Sequence, residues 1–378
     1  MNNLEMILEY SSFIREKKSN GKKTVAYICH DNVPEEIFDA AGFIPIRLMF
    51  AGNDELMNLS HDYLPPSTCA FAQSCIGLFA VKPAAFRFLD MIDYVLISNH
   101  CVSDICASEI ISKYFNIPNL TFYMPYISSK PSLQYYKLEL QYLIEQLEEI
   151  TNTKITPDKI LSSIKKYNNF KKFLQKINDT INDGLEKLKI IQKAMLFGPD
   201  ILPELESYIN NHENEEKVKD NNAKQILLTG CSLFINDFVI DVIQETGANI
   251  IFFDTWIGSN YFSQTFEDER LSEIEDPLEL LTVRFKNNLI SDHNVSNFFK
   301  LKVSQIKKIV QEHEAKTGKK LGIINNIIKF CDHYSIMSAH FKTALQKDGF
   351  RVLNLERDYS LSARGQISTR IEAFLEMI

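Results

Sequence analysis

Seven cysteines, Cys29, Cys69, Cys75, Cys101, Cys106, Cys231 and Cys331, are the residues of this chain whose type and placing point most directly to chemistry. A thiolate is both a nucleophile and a soft metal ligand, and an odd number argues against a closed set of disulfides. No two of them form a C-x-x-C pair, and the usual zinc spacings are absent. Location is more telling. Cys69, Cys101, Cys231 and Cys331 each fall where the sequence predicts a strand end or a helix start, the edge at which open α/β sheets assemble their chemistry. Brought together there, the thiolates make a metal or iron–sulfur site; kept apart, each is a small buried apolar residue. Spacing alone leaves both alternatives open.

The elements that would have to position these thiols follow from residue patterning. Leu321 to Ser335 carries GIINNIIKFCDHYS after its first residue, and its Ile-rich run suits a buried parallel strand that delivers Cys331 at its carboxyl end. Cys101 ends the apolar run MIDYVLISNHC, after a strand over 94–98. Cys69 follows the turn-prone LPPST, and Ser67 or Thr68 caps a helix containing Phe71, Cys75 and Leu78. That puts Cys69 in a first turn, where backbone amides favour a thiolate. Cys75, six residues on, faces elsewhere and reads as packing. Cys106, with Ile110 and Ile111, reads as a core-facing position on the helix SDICASEIISKYFNI.

In chain order, residues 1–20 are an amphipathic N-terminal helix and Lys22 to Cys29 a first strand, followed by the polar loop His30 to Val33. PEEIFDAAG is a short helix with acidic residues in its first turn, stopped by Gly42. FIPIRLMF and NLTFYMPY supply further strands. From Pro131 to about Asn211 the pattern is helical only, and the charged stretch Asn210 to Gln225 reads as an exposed connection. A second strand–helix alternation starts with QILLTGCSL, passes through ANIIFFD and the Gly258 loop, and includes a helical region over 276–314. It ends in the strand RVLNLE and a final helix STRIEAFLEMI capped by Ser368. The fold class is therefore α/β: two doubly wound, mostly parallel-sheet domains with an N-terminal helix and a helical insertion. The boundaries are 1–20, 21–130 for the first α/β domain, 131–225 for the helical segment and linker, and 226–378 for the second α/β domain.

Composition bounds the function. The chain has 378 residues, 45% hydrophobic and 24% charged, with a net charge of −8. Clustered positive charge, which nucleic-acid binding needs, is absent, and the runs Lys165 to Lys172 and Lys187 to Lys193 read as solvated helix faces. The first twenty residues lack the pattern of a signal peptide, and no apolar run is long enough to span a bilayer. A cytoplasmic location without membrane or nucleic-acid partners is expected, and there thiols stay reduced. Gly21, Gly42 and Gly52 form no phosphate-binding fingerprint.

Seven segments in order resemble the 2-hydroxyacyl-CoA dehydratase and benzoyl-CoA reductase family. They are VPEEIFDAAGFIPIRL (33–48), CAFAQSCIG (69–77), NHCVSDIC (99–106), ILLTGCSL (226–233), DTWIGSNYF (254–262), KFCDHYS (329–335) and DYSLSARGQISTRIEAFLEMI (358–378). The resemblance implies a [4Fe–4S] cluster held by Cys69, Cys101 and Cys331, with one iron left open. It also implies an acyl-CoA substrate, a homologous second dehydratase subunit and an ATP-dependent iron–sulfur activator protein. The implied reaction removes water from a (R)-2-hydroxyacyl-CoA through a ketyl radical. The alternatives are a low-potential reductase of the benzoyl-CoA reductase or double-cubane type, and an electron-relay subunit without its own active site. Val102 stands where relatives often carry Asp after the second ligand, and Trp256 where some carry Cys, which weakens a double-cubane reading. Cys29 and Cys231 then read as packing beside the cluster, and Asp332 and Tyr334 as hydrogen-bonding neighbours of Cys331. His30 and Glu35, with Asn32, are candidate substrate contacts, Glu35 being alternatively a helix-dipole partner. Gln366 and Arg370 belong to the carboxyl-terminal motif, where Arg370 could instead pair with Glu372 or Glu376.

Overall fold

The computed structural model describes residues 2–28, 30, 32–213, 223–289 and 292–378. The first part of the chain comprises α1 (Asn3–Ser19), β1 (Lys23–Ile28), α2 (Glu35–Ala40), β2 (Phe43–Leu48), α3 (Asp54–Ser60), α4 (Ala70–Val81), β3 (Tyr94–Ser98), α5 (Val102–Tyr114) and β4 (Asn119–Phe122). Four helices follow: α6 (Lys130–Thr151), α7 (Pro157–Thr180), α8 (Gly184–Phe197) and α9 (Leu202–Glu213). The remainder is β5 (Lys224–Gly230), α10 (Val239–Glu245), β6 (Ala248–Asp254), α11 (Ser259–Phe262), α12 (Asp268–Glu273), α13 (Pro277–Asn288), α14 (Phe298–Thr317), β7 (Leu321–Ile328), α15 (Asp332–Gln346), β8 (Val352–Arg357) and α16 (Arg364–Leu375).

Two four-stranded parallel sheets result, ordered β2-β1-β3-β4 and β6-β5-β7-β8, and they confirm the α/β class. Each has the same winding. The first strand pairs outward with the second, and the chain then returns to the other side of the first. The order therefore reverses between β1 and β3 and between β5 and β7, and a crevice opens beyond the strand ends at such a point. Residues just after those four strands occupy the two crevices. β7 shows why its sequence suits the centre of a sheet: all eight residues are buried. The two polar ones are satisfied there, Asn326 donating to the Cys231 carbonyl at 2.8 Å and Asn325 to Asn354 at 3.1 Å.

The sheets are joined through backbone and core. Ala51 N–H donates to the Ile235 carbonyl at 2.7 Å and Ile235 N–H to Met49 at 3.0 Å, a parallel bridge between the loops after β2 and β5. Phe71 stacks on Phe234 with centroids 3.8 Å apart. A single apolar cluster runs from α1 and α4 into β5, β7 and α16. α13 follows β6 yet buries Leu280, Leu281 and Phe285 with residues of β1, β3 and α6, so this late helix completes the layer over the first sheet.

Several local expectations change: of the two basic runs read as solvated faces, Lys171, Lys187 and Lys193 are buried, because α7 and α8 turn them against the core. Cys106 is exposed rather than core-facing, because α5 turns Ala107 and Ile111 inward instead. The last helix starts at Arg364, so Ser368 lies within it and donates to Glu372 at 2.8 Å rather than capping it. Asn210 to Glu213 extend α9, residues 214–222 of the expected connection lie outside the described residues, and β5 begins at Lys224.

Candidate metal centre

Cys69, Cys101 and Cys331 share one local environment: each is the residue that caps the amino end of a helix, α4, α5 and α15 respectively. First-turn amides have no partner within the helix and, with the aligned peptide dipoles, favour negative charge. At Cys101 the contact is explicit, the Asp104 N–H donating to Sγ at 3.3 Å. Two of the three helices follow the strands that flank the crevices, β3 and β7. The third is tied to them, since the Ala70 N–H at the start of α4 donates to the Lys329 carbonyl at 3.2 Å, two residues before Cys331. Cys231 directly follows β5, buried, with the Ile328 N–H 3.5 Å from its Sγ. Cys29, next after β1, lies outside the described residues.

The thiols feel one another. Burial pushes the Cys69 thiol up to about 12, with Cys331 adding to the effect while the Phe71 and Ala72 amides pull it down. Burial pushes Cys101 well above the usual thiol range, and Asp104, Cys69 and Cys331 all act in the same sense. Cys331 goes the other way, lowered first by the hydrogen bond that the Cys231 thiol donates to it and then by the Tyr334 and His333 amides. Cys231, as donor, is raised by burial and by that bond. Of the four, Cys331 alone is shifted toward the thiolate, and burial holds Cys69, Cys101 and Cys231 toward the thiol. Burial also raises Asp104 well above the carboxylate range. Val102, the first residue of α5, is exposed.

Histidines line the same edge. His30 follows β1, His100 follows β3, His293 lies between α13 and α14, and His333 is in the first turn of α15. The His30 and His100 rings stack at 4.3 Å, His100 meets His293 edge-on at 4.7 Å, and His293 lies 4.0 Å from His333. Trp256, half-buried after β6, closes on His100 at 4.7 Å. Burial lowers the pKa of His30, His100 and His293 well below the usual value, so these rings are neutral. Asp292 joins them, one of its oxygens within 4.8 Å of ring nitrogens of both His100 and His293.

The other sequence candidates are dispersed. Glu35 is buried, and its carboxylate accepts from Tyr27 at 2.5 Å, Arg47 at 3.1 Å and, from α11 after β6, Tyr261 at 2.6 Å. Arg47 also donates to the His30 carbonyl at 2.7 Å, so the Glu35 network fixes the chain at His30. Asn32 donates to Asp292 at 2.8 Å. Tyr334 is buried beside the thiols, its pKa raised by burial and by Cys231 and Cys331, whereas Asp332 is exposed. Gln366 is exposed on α16, and Arg370 donates to the Asn354 carbonyl at 2.6 Å in place of the Glu372 or Glu376 pairing. Sequence reasoning passed over His293 and Asp292. The signal it had was the pair of histidines adjoining ligand candidates, in NHC and in CDH.

Comparison with known proteins adds a framework. A model of the family described as 2-hydroxyglutaryl-CoA dehydratase, D-component, matches residues 32–378. The chain is 22% identical to a protein of Escherichia coli (strain K12) provisionally named dehydratase subunit YjiM, over 97% of this chain and 94% of the relative. It is also 22% identical to the (R)-phenyllactyl-CoA dehydratase beta subunit of Clostridium sporogenes, over 91% of this chain and 89% of that one. One of the subunits of the benzoyl-CoA reductase of Thauera aromatica is 30% identical over 41% of this chain and 39% of its own length.

Proposed function

The chain belongs to the 2-hydroxyglutaryl-CoA dehydratase D-component family, and from that premise we propose that it is the iron–sulfur subunit of a 2-hydroxyacyl-CoA dehydratase. In this reading Cys69, Cys101 and Cys331 hold a [4Fe–4S] cluster, and the chain works in the cytoplasm. Its partners are a homologous second subunit and an ATP-dependent iron–sulfur activator. The observation that carries the proposal is that these three thiols, each capping the amino end of a helix, are near enough for Cys331 to raise the pKa of Cys69 and for both to raise that of Cys101. Their electrostatics suit the group. Buried thiols that raise one another's pKa need compensating positive charge before all three ionise, which is what iron brings. When bound, the cluster supplies a low-potential electron and an open iron position able to take an oxygen ligand.

The chain's own residues do the rest. Helix amino ends of α4, α5 and α15 stabilise the thiolates through their first-turn amides. Cys231 donates a hydrogen bond to Cys331 and so favours the Cys331 thiolate. Tyr334 fills space against Cys231 and Cys331, and Trp256 with the neutral histidines keeps bulk water from the edge. Glu35 acts as a positioning residue, through Arg47, for the segment at His30. Substrate in this reading is a (R)-2-hydroxyacyl-CoA, which loses water by way of a ketyl radical after ATP-driven one-electron activation.

The test is an anaerobic assay of the chain with its second subunit, activator, ATP and a reductant, following 2-enoyl-CoA formation. Cys331→Ser is expected to abolish turnover, and full turnover by that variant contradicts the assignment. The 30% identical stretch shared with the Thauera aromatica benzoyl-CoA reductase favours a second reading, a reductase. It predicts consumption of electrons in proportion to product, whereas a dehydratase returns its electron each cycle.

A further inference from the structure

We propose that His100, Asp292 and His293 form a second metal site, holding one divalent first-row transition ion, zinc or iron(II), with nitrogen and oxygen donors rather than sulfur. One ligand atom from each of the three residues lies within 4.8 Å of the other two. Donors around such an ion, each about 2.1 Å from it, stand roughly 3 to 4 Å apart. Closing the set takes side-chain shifts of less than about an ångström. Two imidazoles and one carboxylate suit zinc or iron(II) and disfavour magnesium and calcium, which take oxygen ligands.

The hydrogen bonding points to a missing partner. His100 is 1% exposed and His293 7%, yet among the described residues neither ring nitrogen of either has a hydrogen-bond partner. A buried imidazole with both nitrogens unmatched is costly, and buried polar groups are rarely left so. His30, 1% exposed, adds another unpartnered nitrogen, Nε2, in the ring stacked on His100. Asp292 is different in kind: its carboxylate is already aimed, accepting from Asn32 Nδ2 at 2.8 Å and from the Asn294 N–H at 2.9 Å. Ligating carboxylates are characteristically held by such outer contacts. Asn294 also donates through its side chain to the His100 carbonyl, so the two segments bearing the ligands are stitched together. Trp256 at 4.7 Å from His100 and 5.4 Å from His293 walls the site on one side, and His333 at 4.0 Å from His293 walls another.

The test uses the full chain in two forms, the parent and a Cys69→Ser/Cys331→Ser double variant, both stripped by a chelator and titrated anaerobically with cobalt(II). Because two of the three proposed cluster ligands are removed in the second form, it cannot hold the proposed cluster, and the outcome is independent of the iron–sulfur reading. One equivalent of cobalt per chain is expected in the double variant, with ligand-field absorption and no thiolate-to-cobalt charge transfer. His293→Ala and Asp292→Asn, made in that background, should each weaken binding by at least roughly a hundredfold. Asn32→Ala should weaken it by about 10- to 100-fold, the usual range for an outer contact. Circular dichroism checks that each variant folds; the near-isosteric Asp292→Asn keeps the test decisive if His293→Ala does not. No stoichiometric cobalt in the double variant, or unchanged affinity in Asp292→Asn, overturns the proposal: the histidines would then enclose water or substrate.

Discussion

Glu35 accepts hydrogen bonds from Tyr27, Arg47 and Tyr261 inside the protein, and its removal would take the carboxylate from the buried Arg47 guanidinium. Glu35→Ala is expected to cost about 3 to 5 kcal/mol, the range for breaking a buried pair, measured as a shift in the denaturant midpoint. A loss within a few tenths of a kcal/mol would show that Arg47 finds another partner. Lys171 gives a prediction in pH. Burial, reinforced by the Arg284 charge, lowers its pKa from 10.5 to about 8. Between about 8 and 10.5 the unfolded chain keeps a proton that the folded chain has released, so the Lys171 contribution to stability rises with pH across that window. Below it both states are protonated and the cost of the buried charge is constant. Lys171→Met should therefore raise the unfolding midpoint at pH 7 and flatten the rise above pH 8, and an unaltered pH profile would contradict this. At this scale the cysteines were legible because each ligand candidate sits at a strand end or helix start that local patterning marks. The histidines were not: His100 and His293 lie far apart in sequence, and only the fold brings their rings to 4.7 Å.

Helices α4, α5 and α15 matter chiefly through their amino ends, so anything that tilts one of them displaces a thiol. Gly77 is where α4 is most exposed to such a change, since a Cβ there would collide with the Leu56 carbonyl oxygen of α3. Gly77→Ala should cost about 1 to 3 kcal/mol through overpacking and lower the iron retained by the purified chain, which metal analysis beside a thermal melt would read. Normal iron content with normal stability would mean that α3 yields instead. Gly230 plays a comparable part before Cys231, adopting φ +91° with the Asn326 carbonyl occupying the space a Cβ would need. Strand identities were readable from their Val, Ile and Phe runs, as in β7, whose eight residues are all buried. The far boundary of the first sheet was overrun, because NLTFYMPY has strand-like composition throughout but pairs with β3 only as far as Phe122. Cys106 misled for a related reason: a small apolar residue fits either face of α5, and packing, not type, turned it to solvent.

Across the whole molecule the two sheets share core and backbone contacts, through the Phe71–Phe234 stack, the Ile235 bridge and the return of α13 to the first sheet's helix layer. Calorimetry of the metal-free chain is expected to show one cooperative transition, and Phe234→Ala to lower stability by about 3 to 5 kcal/mol. Two well-separated transitions would contradict a joined core. The path of α13 could not be read from sequence, since an amphipathic face says that a helix packs without saying on which sheet. The doubled winding could, because two strand–helix alternations separated by a purely helical block leave few other arrangements. The account rests on three thiols from both halves of the chain serving one inorganic group, and iron and acid-labile sulfide analysis after anaerobic purification tests it most directly. About four of each per chain are predicted, most of it lost in Cys69→Ser, Cys101→Ser and Cys331→Ser and kept in Cys106→Ser. A chain without acid-labile sulfide, or a Cys331→Ser variant with its full complement, would contradict it.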